Sequence, residues 1–203
     1  MHGYKPRNKV RFAFWDAEES GLLGAEYYVS QLSSRQQKNI GVYLNFDMVG
    51  SPNYGRFIYD SDGDAFGTAG PNGSDIAEGV FEDYFESQGL ATLPTAFDGR
   101  SDYKRLIDAG IPAGGLFKGA EDIKTDEEAR LFGGEAGVAF DPCYHSPSDD
   151  IDNLSAYALD QMSDATAHAL LPFAQTTSSV NCTAKGSGTP SSNFEYKGPH
   201  LQK

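Results

Sequence analysis

Two adjacent glutamates, Glu18 and Glu19, follow an apolar run at residues 10–15 of this 203-residue chain. Neighbouring residues that leave a strand point in different directions, so one carboxylate can bind a metal ion while the other faces a water molecule. Asp47 ends a second apolar run, and His145 lies in a turn far downstream. Carboxylate and imidazole groups are the usual ligands of catalytic zinc. Together the four residues predict a zinc hydrolase with Glu18 as its general base.

Each of these residues also has an ordinary structural interpretation. A pair of glutamates is usually solvated surface. Asp47 could cap a turn, and His145 could be a surface histidine in an acidic loop. Residue type and spacing alone therefore leave open the choice between a metal site and unrelated surface groups.

Alternating strands and helices must position these residues. Compact apolar runs predict strands at residues 10–15, 40–46, 56–59 and 113–117. Helical spacing predicts helices at residues 21–32 and from about 155 to 175. Capping residues predict three more. One runs from Ser74 or Asp75 to about residue 88, one from a Ser101 cap to residue 110, and one follows a capping box at Thr125. This order predicts an α/β fold with three layers, α/β/α, around a central mixed, mostly parallel sheet.

The chain opens directly on a strand of the central type, without preceding elements that would pair with it. We therefore expect the sheet to be incomplete at the N-terminus, and residues 1–175 to be the C-terminal portion of one domain. Residues 176–203 begin with a Ser-, Thr- and Gly-rich stretch, and we expect them to form a loose tail.

Acidic residues dominate the charge. The chain has 16 Lys and Arg against 29 Asp and Glu, a formal net charge of −13. This balance disfavours nucleic acid and anionic membrane surfaces as partners, because both attract basic residues. It suits substrates such as peptides with a free amino group. No apolar run approaches the roughly 20 residues that span a bilayer.

Three glycosylation sequons begin at Asn72, Asn153 and Asn181, and Cys143 and Cys182 can form a disulfide or remain free thiols. These features weakly favour secretion. We also expect the protein to be a monomer.

Four segments, in this order, resemble those of the co-catalytic di-zinc aminopeptidases, metallopeptidase family 28, with the nearest likeness to compact secreted enzymes of actinobacterial type. The segments are residues 14–25, 44–51, 97–103 and 143–153. The resemblance covers about residues 9–175 and implies two zinc ions. It implies that Glu18 is the general base and acid, that Glu19 and His145 hold one zinc ion and that Asp47 holds the other. Tyr144 would stabilise the oxyanion.

The resemblance further implies a substrate site for peptide N-termini. Arg100 would orient the substrate terminus, and Met48, Gly99 and Phe117 would line a pocket that favours a large apolar first side chain. In some close relatives a calcium site occurs at positions matching Asp160 and Asp164. These two carboxylates lie four residues apart on the last predicted helix and therefore share a face; they can equally be solvated acids.

The sequence departs from the family pattern at its start. The family also uses a histidine, and an aspartate that bridges both zinc ions, from segments before the strand at residues 10–15, and this sequence has no counterpart of them. One zinc ion would keep two protein ligands and the other one, fewer than the three of a catalytic site. Zinc binding is then expected to be weak. The alternative interpretations are a truncated, inactive fragment and a metal-free interaction module that kept the peptidase fold.

Overall fold

The structure is a computed structural model that describes residues 5–182, with side chains to residue 180. Four strands form one sheet: β1 (Tyr43–Asp47), β2 (Phe57–Tyr59), β3 (Leu93–Thr95) and β4 (Ala113–Phe117). Their order across the sheet is β1-β4-β2-β3. β1 and β4 are parallel, as are β2 and β3, whereas β2 and β4 are antiparallel. The prediction of a mixed, mostly parallel sheet is confirmed.

Helices cover both sides of this sheet. Within residues 5–182 they are α1 (Leu23–Ser30), α2 (Ser34–Lys38), α3 (Ser74–Ser87), α4 (Tyr103–Asp108), α5 (Asp126–Phe132), α6 (Ala156–Gln175) and α7 (Ser178–Cys182), with a 3₁₀ turn at Ile151–Asn153. The capping box at Thr125 forms as predicted, and the Ser155 hydroxyl caps α6. No described helix combines the length and apolarity that crossing a membrane requires.

Two apolar clusters hold the three layers together. On one face Ile58 and Leu116 pack against α3 and α6, with Phe81, Phe85 and Met162 all at most 1% exposed. On the other face Tyr59, Phe97, Tyr103, Ile107 and Ala113 form a second cluster around α4. Burying each large apolar side chain contributes about 1.5–3 kcal/mol. Because side chains alternate along a strand, Tyr43, Asn45 and Asp47 of β1 all face the α4 side.

The predicted strand at residues 10–15 is wrong. This segment has no regular secondary structure, and Phe12 and Phe14 are 71% and 94% exposed. A strand requires a neighbouring strand for its backbone hydrogen bonds, and no strand among the described residues pairs with this segment. The segment is instead attached through Trp15, which packs on Tyr28 and donates a hydrogen bond to Tyr43, and through Arg11, which donates to the Tyr28 hydroxyl.

Other differences are local. Asp102, not Ser101, takes the cap position of α4, because the Ser101 hydroxyl donates to Asp47 instead. β3 was not predicted from the sequence, because it is short and contains Pro94. A sheet tolerates proline at its edge, where β3 lies. α7 occupies part of the predicted tail, and residues 183–203 lie outside the described residues.

Candidate active site

Backbone strain is concentrated where the sequence predicted chemistry. Four non-glycine residues in the described part of the chain have a positive φ: Ala17 at 54°, Leu22 at 63°, Met48 at 49° and His145 at 54°. Three of them lie within four residues of Glu18 or Asp47, and the fourth is a predicted ligand. The left-handed conformation costs about 1–2 kcal/mol for such residues, and strain of this kind clusters at functional sites.

Glu19 and His145 lie in direct contact. His145 Nε2 is 2.9 Å from Glu19 Oε1, and the His145 ring lies 4.0 Å, centroid to centroid, from the Tyr144 ring. Two ligands of one tetrahedral zinc ion, at about 2.0–2.2 Å from the metal, would be roughly 3.4 Å apart. The two predicted ligands of one ion are therefore brought together with their donor atoms facing each other.

Glu18 occupies a drier position than its neighbour. Its side chain is partly buried, and Oε1 is enclosed without a hydrogen-bond partner among the described residues. Burial, together with the negative charges of Asp47, Glu19 and Asp102 and against the positive charge of Arg100, raises the pKa of Glu18 to about 8. A carboxyl group with a raised pKa holds a proton more readily than an ordinary glutamate, which suits a general acid and base.

Asp47, at the end of β1, accepts a hydrogen bond at its Oδ2 atom from a residue that is itself held by hydrogen bonding. Ser101 Oγ donates to that atom at 2.6 Å, and Asn45 Nδ2 donates to Ser101 Oγ at 2.9 Å. Asn45 and Ser101 are 3% and 4% exposed. The sequence analysis missed both roles. The available signal was Asn45, a polar residue inside a strand predicted to be covered on both faces.

Arg100 and Tyr144 come together beside these groups, with a third residue that the sequence analysis missed. Arg100 Nη2 lies 2.5 Å from Glu121 Oε1. Burial, followed by the charges of Glu121 and Glu19, raises the pKa of Tyr144 to about 12, while the charge of Arg100 and its hydrogen bond lower it. Glu121 thus holds the Arg100 guanidinium next to the Tyr144 hydroxyl.

The three predicted pocket residues lie at the ends of elements near Asp47. Met48 follows Asp47 directly, and Phe117 is the partner of Asp47 across the β1–β4 ladder. Gly99 has φ +89° in the loop before α4, and its N–H donates to Tyr103 at 2.8 Å. Their role as a pocket stays a prediction.

Asp160 and Asp164 lie elsewhere. Both are exposed on α6, which packs on the sheet face opposite α4, and their negative charges add to burial in raising the pKa of Tyr84. Their role as calcium ligands stays a prediction.

The model of peptidase family M28 matches residues 2–170. The chain belongs to peptidase family M28. This M28 chain is similar to the probable leucine aminopeptidase 2 of Aspergillus fumigatus, with 52% identity over 177 residues, 87% of this chain and 35% of that protein. Leucine aminopeptidase 2 of Trichophyton rubrum is 49% identical over 175 residues, 86% of this chain and 35% of that protein. The chain spans about a third of the length of these curated relatives.

Solved M28-like structures share the fold. The zinc aminopeptidase from Bacillus subtilis matches with a TM-score of 0.64 and 25% identity, covering 86% of this chain and 38% of that one. The aminopeptidase from Aneurinibacillus sp. strain AM-1 matches with a TM-score of 0.55 and 27% identity, covering 77% and 31%. The α/β fold of this M28 chain is therefore that of its structural neighbours.

The donors of this M28 chain fit zinc in their chemistry. Imidazole nitrogen and carboxylate oxygen are zinc ligands, and the enclosed, unpartnered Glu18 Oε1 faces the same cluster of acidic groups. Glu19 and His145 form a two-donor pair. In the part of the chain that the structure describes, one group of three His, Cys, Asp or Glu residues has its donor atoms within 4.8 Å of one another: Asp60, Asp62 and Glu78. Asp47 therefore does not complete a three-donor cluster with Glu19 and His145.

Proposed function

We propose that the protein is a zinc-dependent aminopeptidase that removes the N-terminal residue of peptides. The observation that carries the proposal is Glu18, a partly buried carboxylate of raised pKa beside the Glu19–His145 pair. The relatives named leucine aminopeptidase and zinc aminopeptidase support it. Because the chain spans about a third of the relatives' length, activity and substrate are both part of the proposal.

Glu18 would move the proton of the reaction. Zinc, with one ion held by Glu19 and His145 and a second by Asp47, would supply a Lewis acid and lower the pKa of a bound water molecule. The Glu18 carboxylate would accept a proton from the attacking water and donate it to the leaving amine. Its dry surroundings stabilise the protonated carboxyl between these steps and so favour the return of the proton.

The substrate would be oriented by the groups around Glu18. Tyr144, whose hydroxyl remains protonated at neutral pH because its pKa is about 12, would donate to the developing oxyanion. Arg100 would add positive charge on the same side, and the acidic cluster would attract the free α-amino group. Met48, Gly99 and Phe117 would contact the first side chain and favour a large apolar residue.

We extend the proposal to the bound metal ions, the oligomeric state, the partners and the location of the protein. The resemblance supports two zinc ions, and a calcium ion at Asp160 and Asp164. The net charge of −13 supports a monomer that meets peptides rather than nucleic acid or membrane surfaces. The sequons support secretion. Calcium binding would raise the melting temperature of the wild type and leave that of D160N unchanged.

Two measurements on the same preparation test the proposed function. Bound zinc would be determined after gel filtration, and release of p-nitroaniline from leucine p-nitroanilide would be followed with and without a chelator. Zinc in stoichiometric amount with chelator-sensitive release supports the aminopeptidase. A folded, metal-free protein without release would contradict it and would favour the interaction module.

A further inference from the structure

A line of side chains joins the segment before Glu18 to Asp47. Trp15 Nε1 donates to Tyr43 Oη at 3.0 Å, and Tyr43 Oη donates to Asn45 Oδ1 at 2.9 Å. The Asn45 amide then donates to Ser101, whose hydroxyl donates to the Asp47 carboxylate. Every donor in the line points the same way, from the indole towards the carboxylate.

We propose that Tyr43 is a positioning residue that couples Trp15, and with it the turn that carries Glu18, to the orientation of the Asp47 carboxylate. Tyr43 lies on β1 and is the residue of the line that accepts the hydrogen bond from the N-terminal segment. Its hydroxyl accepts from the indole and donates to Asn45, and together with Tyr59, whose side chain also hydrogen-bonds Asn45, it fixes which way the Asn45 amide faces. That amide in turn leaves the Ser101 proton directed at Asp47.

The coupling has a physical basis in two features of the line: its hydrogen bonds all run in one direction, and its central residues are shielded from water. Asn45 and Ser101 are almost completely buried, so water does not compete for their hydrogen bonds. Hydrogen bonds in such a chain polarise one another, and the last of them ends on a charged acceptor. Partners of this kind orient metal ligands, and their removal commonly weakens metal binding about 10–100-fold.

The segment before Glu18 has few other attachments that would fix it. Residues 10–15 pair with no described strand, and Phe14 is 94% exposed. Trp15 contacts Tyr28 and Tyr43, and Arg11 donates a hydrogen bond to the Tyr28 hydroxyl. The Tyr43 hydroxyl therefore ties an otherwise loosely held segment to the ligand strand.

Trp15 is the single tryptophan of the chain, so its fluorescence reports on this line directly. The first experiment uses metal-free protein and needs no activity. D47N should change the emission of Trp15, and the same substitution in a Y43F background should leave the emission of Y43F unchanged. Y28F, which keeps the aromatic ring beside Trp15 and the whole line, is the control and should retain the response to D47N. An equal response to D47N with and without the Tyr43 hydroxyl would overturn the coupling.

The second experiment rests on the proposed function because it adds zinc. Zinc affinity would be measured by competition with a chromophoric chelator, with thermal unfolding recorded in parallel. Y43F should bind zinc about 10-fold more weakly than wild type, with Y28F at wild-type affinity. N45D, whose carboxylate would accept from both Tyr43 and Ser101, should weaken binding similarly.

The outcomes separate the two proposals. Wild-type affinity in folded Y43F and N45D overturns the positioning role and leaves the proposed function intact. Absence of zinc binding in wild type, together with the metal-free fluorescence coupling, overturns the proposed function and supports the line.

Discussion

His145 Nε2 lies 2.9 Å from Glu19 Oε1 although 126 residues separate them in the chain. Both side chains are partly exposed, so the contact itself contributes little to stability, about 0–1 kcal/mol. Its significance is geometric, because it places one nitrogen donor, from His145, and one oxygen donor, from Glu19, where a single metal ion can reach both.

E19Q should weaken zinc binding at least 10-fold, because the amide is a poor replacement for an anionic ligand. Affinity would be measured by chelator competition. E26Q is a matched control: Glu26 is a similarly exposed carboxylate of α1 that pairs with Arg105 at 3.0 Å, and its loss should leave zinc affinity unchanged. Equal affinities for E19Q and E26Q would contradict the assignment of Glu19.

E18Q should lower the rate of leucine p-nitroanilide hydrolysis by about 10²–10⁴-fold, because the amide cannot accept and return a proton. Zinc content should stay within a few-fold of wild type. E78Q serves as the control, since Glu78 is a buried carboxylate whose pKa is also raised, to about 7, but which accepts hydrogen bonds from Ser61 and Asp62 instead. Full activity in zinc-loaded E18Q would remove Glu18 from the mechanism.

K118M should stabilise the protein by about 1–3 kcal/mol at pH 7, because it replaces a buried amine that lacks a hydrogen-bond partner among the described residues with an apolar side chain. Lys118 is 0% exposed, and its Nζ lacks a hydrogen-bond partner among the described residues while lying 4.4 Å from the centre of the Tyr54 ring. Burial, and then the charges of Arg56 and Lys124, lower the pKa of Lys118 to about 7.

The pH dependence of that gain has a defined sign. Between pH 7 and about 10.5 the unfolded chain binds the Lys118 proton more tightly than the folded one, so this lysine makes wild-type stability rise with pH. The advantage of K118M should therefore shrink from pH 7 to pH 10, as measured by urea unfolding. K124M is the control, and its effect on stability should be opposite to that of K118M. Lys124 Nζ donates to three backbone carbonyls, of Asn53, Tyr54 and Gly133, and its loss should destabilise the protein.

G115A should destabilise the sheet by at least about 3 kcal/mol and disturb the site that β1 carries. A Cβ on Gly115 would lie 2.0 Å from the Asn45 backbone oxygen, across the β1–β4 ladder. Gly79, within α3, has open space where its Cβ would lie, so G79A should stabilise by about 0.5–1 kcal/mol. Thermal unfolding would compare the two, and a tolerated G115A would show that the ladder can separate at this point.

Elements specified by local signals were predicted well from the sequence, whereas features that depend on distant partners were not. α6 and β4 were predicted nearly to the residue, because helical periodicity, a serine cap and a compact apolar run are local signals. The strand at residues 10–15 was wrong although its apolar pattern is strong, because a strand exists only where another strand accepts its hydrogen bonds. Ser101 was misassigned for a related reason: its hydroxyl had a local use as a cap and a distant use at Asp47.

Residue types in their order were enough to indicate the family and the residues expected to do chemistry: the adjacent glutamates, the strand-end aspartate and the histidine turn. Such motifs can be recognised in the sequence without knowing the fold. Which of these groups meet depends on the tertiary structure. It paired Glu19 with His145, held Arg100 with Glu121, and ran a hydrogen-bonded line from Trp15 to Asp47. These contacts join residues tens of positions apart, and their geometry depends on how the sheet and α4 pack, which no local pattern in the chain encodes.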